Sequence, residues 1–156
     1  MIDLNAIKAN PMQHFAAQQT LSVPVETGNM WGYGSVSGGN LFLQPVQQQD
    51  YQAEVALDLV PRRAFEQAGI GIYWDDDNYI KVSKEMFNGR LSLVFVTELA
   101  GQPRINNILD YPDTNVRFKL EKSKGAVNAS FQSSSDSDWQ ALGSTPLLPD
   151  TEQGVM

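Results

Sequence analysis

Few residues in this chain are of a type and spacing to do chemistry. Breaking a glycosidic bond takes two carboxyl groups flanking it, and Glu54 with Glu85 is the one pair to consider for that role. Glu98 has Val96 and Val94 two and four positions before it, so a strand there gives it no acidic neighbour on its own face. The single histidine, His14, has no serine or aspartate arrangement around it and is expected at the surface or in strand packing rather than in a triad. The absence of cysteine excludes disulfides, thiolate metal sites and cysteine nucleophiles. The run Asp75-Asp76-Asp77-Asn78 is where a structural calcium would find oxygen ligands, but short polar residues of this kind also make a solvated hairpin turn, and the turn is the expectation. Gly32-Tyr33-Gly34 is no phosphate cradle, because no strand-to-helix transition follows it. Neither catalytic residues nor a required cofactor are expected.

A binding surface is better supported. If side chains alternate along strands, then Glu54, Gln67, Tyr73, Tyr79, Lys81, Ser83 and Glu85 share a face turned away from the core. Gly69 and Gly71 leave room above that face. Aromatic rings stack on the apolar side of a sugar while amide, ammonium and carboxylate groups bond its hydroxyls. The competing expectation is an ordinary solvated sheet face on which Glu54, Lys81 and Glu85 form cross-strand ion pairs. Trp31 and Tyr33, in a Gly-rich loop from Gly28 to Gly39, are the candidates for an exposed platform. Trp74 and Trp139 are expected in the core, and Arg90 as an exposed arginine.

These residues must be positioned by strands. In Asp50–Val60, Tyr51, Ala53, Val55, Leu57 and Leu59 face one way and Gln52, Glu54, Ala56 and Asp58 the other. Glu66–Trp74 repeats the pattern with Ala68, Ile70, Ile72 and Trp74 on one side. The acidic run then turns the chain into Tyr79–Glu85, and Asn88-Gly89, the strongest short hairpin signal, leads into Leu91–Glu98. Further strands are expected at Asn115–Glu121 and Ala126–Gln132, joined by Lys122–Gly125, with a short one at Trp139–Leu142. Thr20–Val25 and Leu41–Val46 are weaker candidates. Arg62–Ala68 is too short for a stable helix. Closely spaced strands with turn chemistry between them imply an all-β sandwich or barrel.

The composition agrees. At 156 residues the chain is the size of one domain, read here as 1–143 followed by a polar, Pro-containing tail, 144–156. The net charge of −7 argues against nucleic acid or anionic membrane as partners. No apolar run approaches bilayer length, and the start lacks a basic region followed by an apolar stretch. A soluble chain is expected, cytoplasmic in preference to exported.

The ordered segments Asn40–Val46, Asp50–Val55, Gln67–Tyr73 and Asp75–Val82, followed by Val116–Leu120, Ala129–Phe131 and Trp139–Gly143, resemble the concanavalin A-like domains at the C-terminus of family 43 glycoside hydrolases, and related stand-alone domains. The resemblance runs from about Trp31 to Gly143. It implies a jelly roll of two curved antiparallel sheets whose more concave sheet faces a carbohydrate or a partner catalytic domain. It implies no activity, because the catalytic carboxylates of those enzymes belong to a separate propeller domain. The glucanases of this fold resemble one another in a Glu-x-Asp-x-x-Glu or Glu-x-Asp-x-Glu run, which this sequence lacks. The expected function is therefore a non-catalytic carbohydrate-binding or accessory module for an oligosaccharide or polysaccharide. The alternative is a structural or protein-interaction domain, as a homodimer through open sheet edges or with a separate catalytic chain. A glycoside hydrolase of unusual motif ranks third.

Overall fold

A computed structural model of the chain describes residues 8–9, 15–17, 20–34 and 41–147. His14 lies outside them. Among the described residues every regular element is a strand: β1 (Lys8–Ala9), β2 (Phe15–Ala17), β3 (Thr20–Ser22), β4 (Phe42–Leu43), β5 (Tyr51–Asp58), β6 (Gln67–Asp75), β7 (Asn78–Phe87), β8 (Arg90–Leu99), β9 (Gln102–Asp110), β10 (Asn115–Ser123), β11 (Ala126–Ser133) and β12 (Gln140–Pro146). Two four-stranded antiparallel sheets dominate, one ordered β6-β7-β8-β9 and the other β12-β11-β10-β5. The pairs β1-β4 and β2-β3 form small separate ribbons. No helix among the described residues is long and apolar enough to cross a membrane.

Alternation produces the core. Ile72, Ile80, Val82, Leu93 and Phe95 from the first sheet meet Val116, Phe118, Leu120, Val127, Ala129, Phe131 and Leu142 from the second. Tyr51, Val55, Leu57, Ile70 and Trp74 pack at its margin, on the sides expected for them. Inside-facing residues of two stacked sheets exclude water between them, and that burial is the main term holding the sheets together.

The turns follow local chemistry. Asn88-Gly89 and Lys124-Gly125 both have positive φ at each residue, the geometry whose twist matches the flanking strands. Ala100-Gly101 does the same between β8 and β9, although alanine is a poor residue for it. The segment before β6 makes no helix: the Glu66 carboxylate accepts the backbone N–H groups of Arg62 and Arg63 and closes a turn instead.

The structure departs from the sequence reading in several places. Strand β9 was not expected, and the early strands are only two or three residues long. Strand β12 continues through Ser144, Thr145 and Pro146, three residues into the segment read as tail. Trp139 is not core: it lies half-buried on the outer side of the second sheet, against Arg117 and Lys119. Its place before β12, rather than within it, frees it from the alternation used to assign it.

Candidate functional site

The outward face of the first sheet is built from residues that register places side by side. Gln67 pairs with Glu85, Gly69 with Ser83, Gly71 with Lys81 and Tyr73 with Tyr79. On the other side of β7, Tyr79 pairs with Glu98, Lys81 with Val96, Ser83 with Val94 and Glu85 with Ser92. The face is thus polar along β6 and β7 and apolar along β8, where it continues into Ile105 and Ile108 of β9. The two glycines are required by the approach of the strands: a Cβ on Gly69 would lie 1.9 Å from the Val82 carbonyl oxygen, and one on Gly71 2.8 Å from that of Ile80.

Seven of the eight residues expected at a binding site fall on this face or on the loop over it: Gln67, Tyr73, Tyr79, Lys81 and Glu85 on the face, Trp31 and Tyr33 on the loop. Glu54 does not. It belongs to β5 of the other sheet and points outward there, bonded to Arg117 Nη2 at 2.9 Å and to Gln52 Nε2 at 2.9 Å. Alternation told which way Glu54 points relative to the core but not which sheet holds it. The proposed pairing of Glu54 with Glu85 therefore fails, since a whole sandwich separates them.

The floor is also less open than expected. Tyr79 is 1% exposed, and Lys81, Ser83 and Glu85 are buried. At the end near Tyr79 the cover is the chain's own segment before β4. The Tyr79 hydroxyl lies 2.5 Å from the Met30 carbonyl oxygen and 2.5 Å from Glu98 Oε2. The Gly32 N–H donates to the same carboxylate oxygen at 3.2 Å. Met30 packs over Tyr79, Val94 and Val96. Burial, reinforced by the Glu98 carboxylate, holds the Tyr79 hydroxyl far above the usual phenol range. Glu98 was missed as a site residue; the signal for it was a charge at the end of a face otherwise made of valines.

Further along the face, Lys81 Nζ donates to Gln67 Oε1 and lies 5.9 Å over the Tyr79 ring. Burial pushes the Lys81 ammonium down, against the attraction of Glu85 and Glu98. Burial pushes the Glu85 carboxyl up, against the attraction of Lys81. Glu98 Oε1 and Ser83 Oγ are buried with no hydrogen-bond partner among the described residues, an arrangement that leaves capacity for a polar group.

Above the Tyr79 end, the anchored loop presents Trp31 at 45% and Tyr33 at 87% exposure. Tyr33 lies against the β8–β9 turn: a Cβ on Gly101 would stand 2.8 Å from its Cα. That turn is tied to the preceding hairpin by Gly101 N–H to the Asp77 carbonyl and Ala100 N–H to Asn78 Oδ1. The acidic run is accordingly a hairpin turn in which Asp75 and Asp76 serve protein donors, while Asp77 Oδ1 is buried with no hydrogen-bond partner among the described residues. Asp75 Oδ1 accepts from Asp77 N–H and Asn78 Nδ2, and Asp76 Oδ1 from the Tyr73 hydroxyl. Among the described residues no group of three or more histidines or acids gathers as a metal site. Arg90 is exposed and paired with Asp110 at 3.1 Å.

With this geometry in place, comparison with known proteins is informative. A family model described as the β-xylosidase C-terminal concanavalin A-like domain matches residues 28–154. No curated protein matches the chain. Among solved structures, it is similar to the GH43 protein BlXynB from Bacillus licheniformis, at 23% identity and a TM-score of 0.63, over 68% of this chain and 20% of that one. It is similar over 99% of its length to a functionally unknown protein from Saccharomyces cerevisiae, at 15% identity and a TM-score of 0.78, covering 85% of that chain. A xylan β-1,4-xylosidase from Bacillus halodurans C-125 matches over 99% of this chain and 35% of its own, at 13% identity and a TM-score of 0.67. The chain thus spans about one fifth of the Bacillus licheniformis protein it resembles.

Proposed function

The chain belongs to the family of β-xylosidase C-terminal concanavalin A-like domains, and from that premise we propose that it is a non-catalytic carbohydrate-binding accessory module. One observation carries the proposal. A loop with two exposed aromatic rings, Trp31 and Tyr33, is pinned through Met30 and Gly32 to Tyr79 and Glu98 at the end of a polar sheet face. Exposed rings on a rigid support lose little conformational entropy on stacking against a sugar. The xylan β-1,4-xylosidase among its structural neighbours makes xylo-oligosaccharides the ligand class to test.

The acids support a non-catalytic role. Glu85 and Glu98 share the face, but six residues of strand separate their positions, about 20 Å, beyond the roughly 5–10 Å that glycoside hydrolysis uses. The experiment is a titration of xylohexaose into the wild-type protein and into Trp31→Ala and Tyr33→Ala. Both positions are exposed, so folding is preserved. The expected result is wild-type binding that weakens at least tenfold in each variant at an unchanged melting temperature. Equal binding by all three proteins, or none by the wild type, refutes the proposal. Tyr79→Ala is the poorer probe, since it opens a cavity under the loop.

A second reading has its own observation. Edge strand β9 exposes Ile105 and Ile108 on one face and Leu109 on the other, and apolar residues in solvent along an open sheet edge suit a protein partner, either a catalytic chain or a second copy. Light scattering of the wild type and of Ile108→Lys tests the second copy. A dimer that becomes monomeric in the variant supports it, and a wild-type monomer removes it.

A further inference from the structure

Phe65 is held in a backbone conformation that does not suit it. Its φ of 65° lies in the left-handed region that favours glycine, and strand pairing fixes it there. The Phe65 N–H donates to the Met86 carbonyl at 2.9 Å and the Met86 N–H to the Glu66 carbonyl at 3.2 Å, so two residues leading into β6 oppose one of β7. That is a β-bulge whose first residue is ordinarily glycine, and bulges re-aim side chains. Gln67 Nε2 donates to the Phe65 carbonyl at 3.3 Å, and the Glu66 carboxylate closes the turn before it. The ring presented in this way is 60% exposed and meets Phe87 edge-on, with centres 6.3 Å apart. Phe87 packs in turn on the outward cluster of Tyr79, Val94 and Val96, as Met30 and Tyr73 also do. A strained backbone that keeps a large apolar ring in water gains little burial in return, which points to a use for the ring.

We propose that Phe65 is the far ring-stacking station of a sugar lane running along β6, and that the ligand is an extended neutral chain of several xylose units rather than a single unit or a chain end. The inference rests on the reading of the Trp31 and Tyr33 loop as a sugar site and adds the length and direction of what binds there. The outward row of β6 is Gln67, Gly69, Gly71 and Tyr73, with Phe65 ahead of it. Every member of this row is at least partly accessible, whereas the adjoining row of β7, from Tyr79 to Glu85, is buried. Two glycines let a flat ring approach the backbone closely. β6 is also the edge of its sheet, with no described strand on its outer side, so the main-chain N–H and C=O groups there are donors and acceptors within reach of sugar hydroxyls. The eight steps from Phe65 to Tyr73 cover roughly 25 Å of strand. Tyr73 pairs with Tyr79, on which the loop is anchored, so lane and loop are continuous. No charged side chain stands in the row, which fits an uncharged polymer.

The test titrates xylobiose and xylohexaose calorimetrically into the wild type, Phe65→Gly and Tyr33→Ala. The wild type is expected to bind the hexaose at least tenfold more tightly than the biose. Phe65→Gly is expected to lose most of that gain while binding the biose as the wild type does. Because glycine suits a φ of 65°, the melting temperature of this variant is expected to stay level or rise, which a ring kept for packing alone would not allow. Tyr33→Ala is expected to weaken both ligands, which separates the loop from the lane. Equal wild-type affinity for the two lengths overturns the lane and leaves the loop reading standing, whereas no binding of either ligand overturns both. Hexaose binding undiminished in Phe65→Gly, or a lowered melting temperature in it, also overturns the proposal.

Discussion

Tyr79 joins the sheet face to the loop above it. Its hydroxyl faces a main-chain carbonyl and the fully buried Glu98 carboxylate. Tyr79→Phe keeps the ring and removes the one hydroxyl proton these two acceptors share, while the Gly32 N–H still serves Glu98 Oε2. A loss of about 1–3 kcal/mol follows from stranding a buried acceptor. Denaturant unfolding measures it, and protease nicking between Met30 and Gly34 should rise in parallel. Alkaline pH gives a second residue-level expectation. Burial pushes the Tyr51 hydroxyl up to about 12, and those of Tyr79 and Tyr111 are raised in the same direction. A phenol whose folded value exceeds its unfolded one near 10 contributes stability that is complete below pH 10 and is lost as pH climbs through the folded value. Melting temperature should therefore fall steadily from about pH 10 to 12, with these tyrosines ionising late in an ultraviolet titration.

At the scale of the strands and turns, backbone geometry sets the outcome. Gly69→Ala places a carbon on the Val82 carbonyl with no room to yield, and the β6–β7 pairing should fail, seen as lost expression or a collapsed melting transition. Gly89→Ala meets only open space, but its φ of 79° strains any L-residue. It should cost about 1–2 kcal/mol, readable as a lower melting temperature at an unchanged β-sheet spectrum. The two-residue periodicity of β5, β6, β7 and β10 was legible from sequence because each turns apolar residues to the core and mostly polar ones away from it, even though β7 and its neighbour β8 are buried on both faces. Strand β9 was not legible. Its bulge sets Asn106 and Asn107 on the same side, bonded to Thr97 and Leu142, which breaks the alternation, and its edge position leaves isoleucines in solvent. Alternation likewise identified Gln67, Tyr73, Tyr79, Lys81 and Glu85 as one face. It misassigned Glu54, because facing away from the core is the same pattern in either sheet. That the face is partly covered by Met30 and Gly32 depends on contacts more than 45 residues apart in sequence, which no local pattern encodes.

At the scale of the molecule, the sandwich separates two surfaces with different chemistry. One carries the anchored aromatic loop above Tyr79 and Glu98, the other the Trp139 platform with its cations. The inner faces hold them apart: Phe95, Ile80 and Val82 press against Phe118, Leu120 and Phe131. Phe118→Ala, in the centre of that contact, should cost about 3–5 kcal/mol, a large share of the roughly 5–15 kcal/mol by which a domain is ordinarily stable. The account depends on a sugar meeting the loop end of the first sheet. Titrating xylohexaose into the ¹⁵N-labelled protein and following amide shifts tests this most directly. Met30 to Gly34, Tyr73 and Glu98 to Gly101 should move together and saturate with one affinity, while Ile105 to Leu109 stay still. Shifts confined to β9, or no shifts at millimolar sugar, would contradict it.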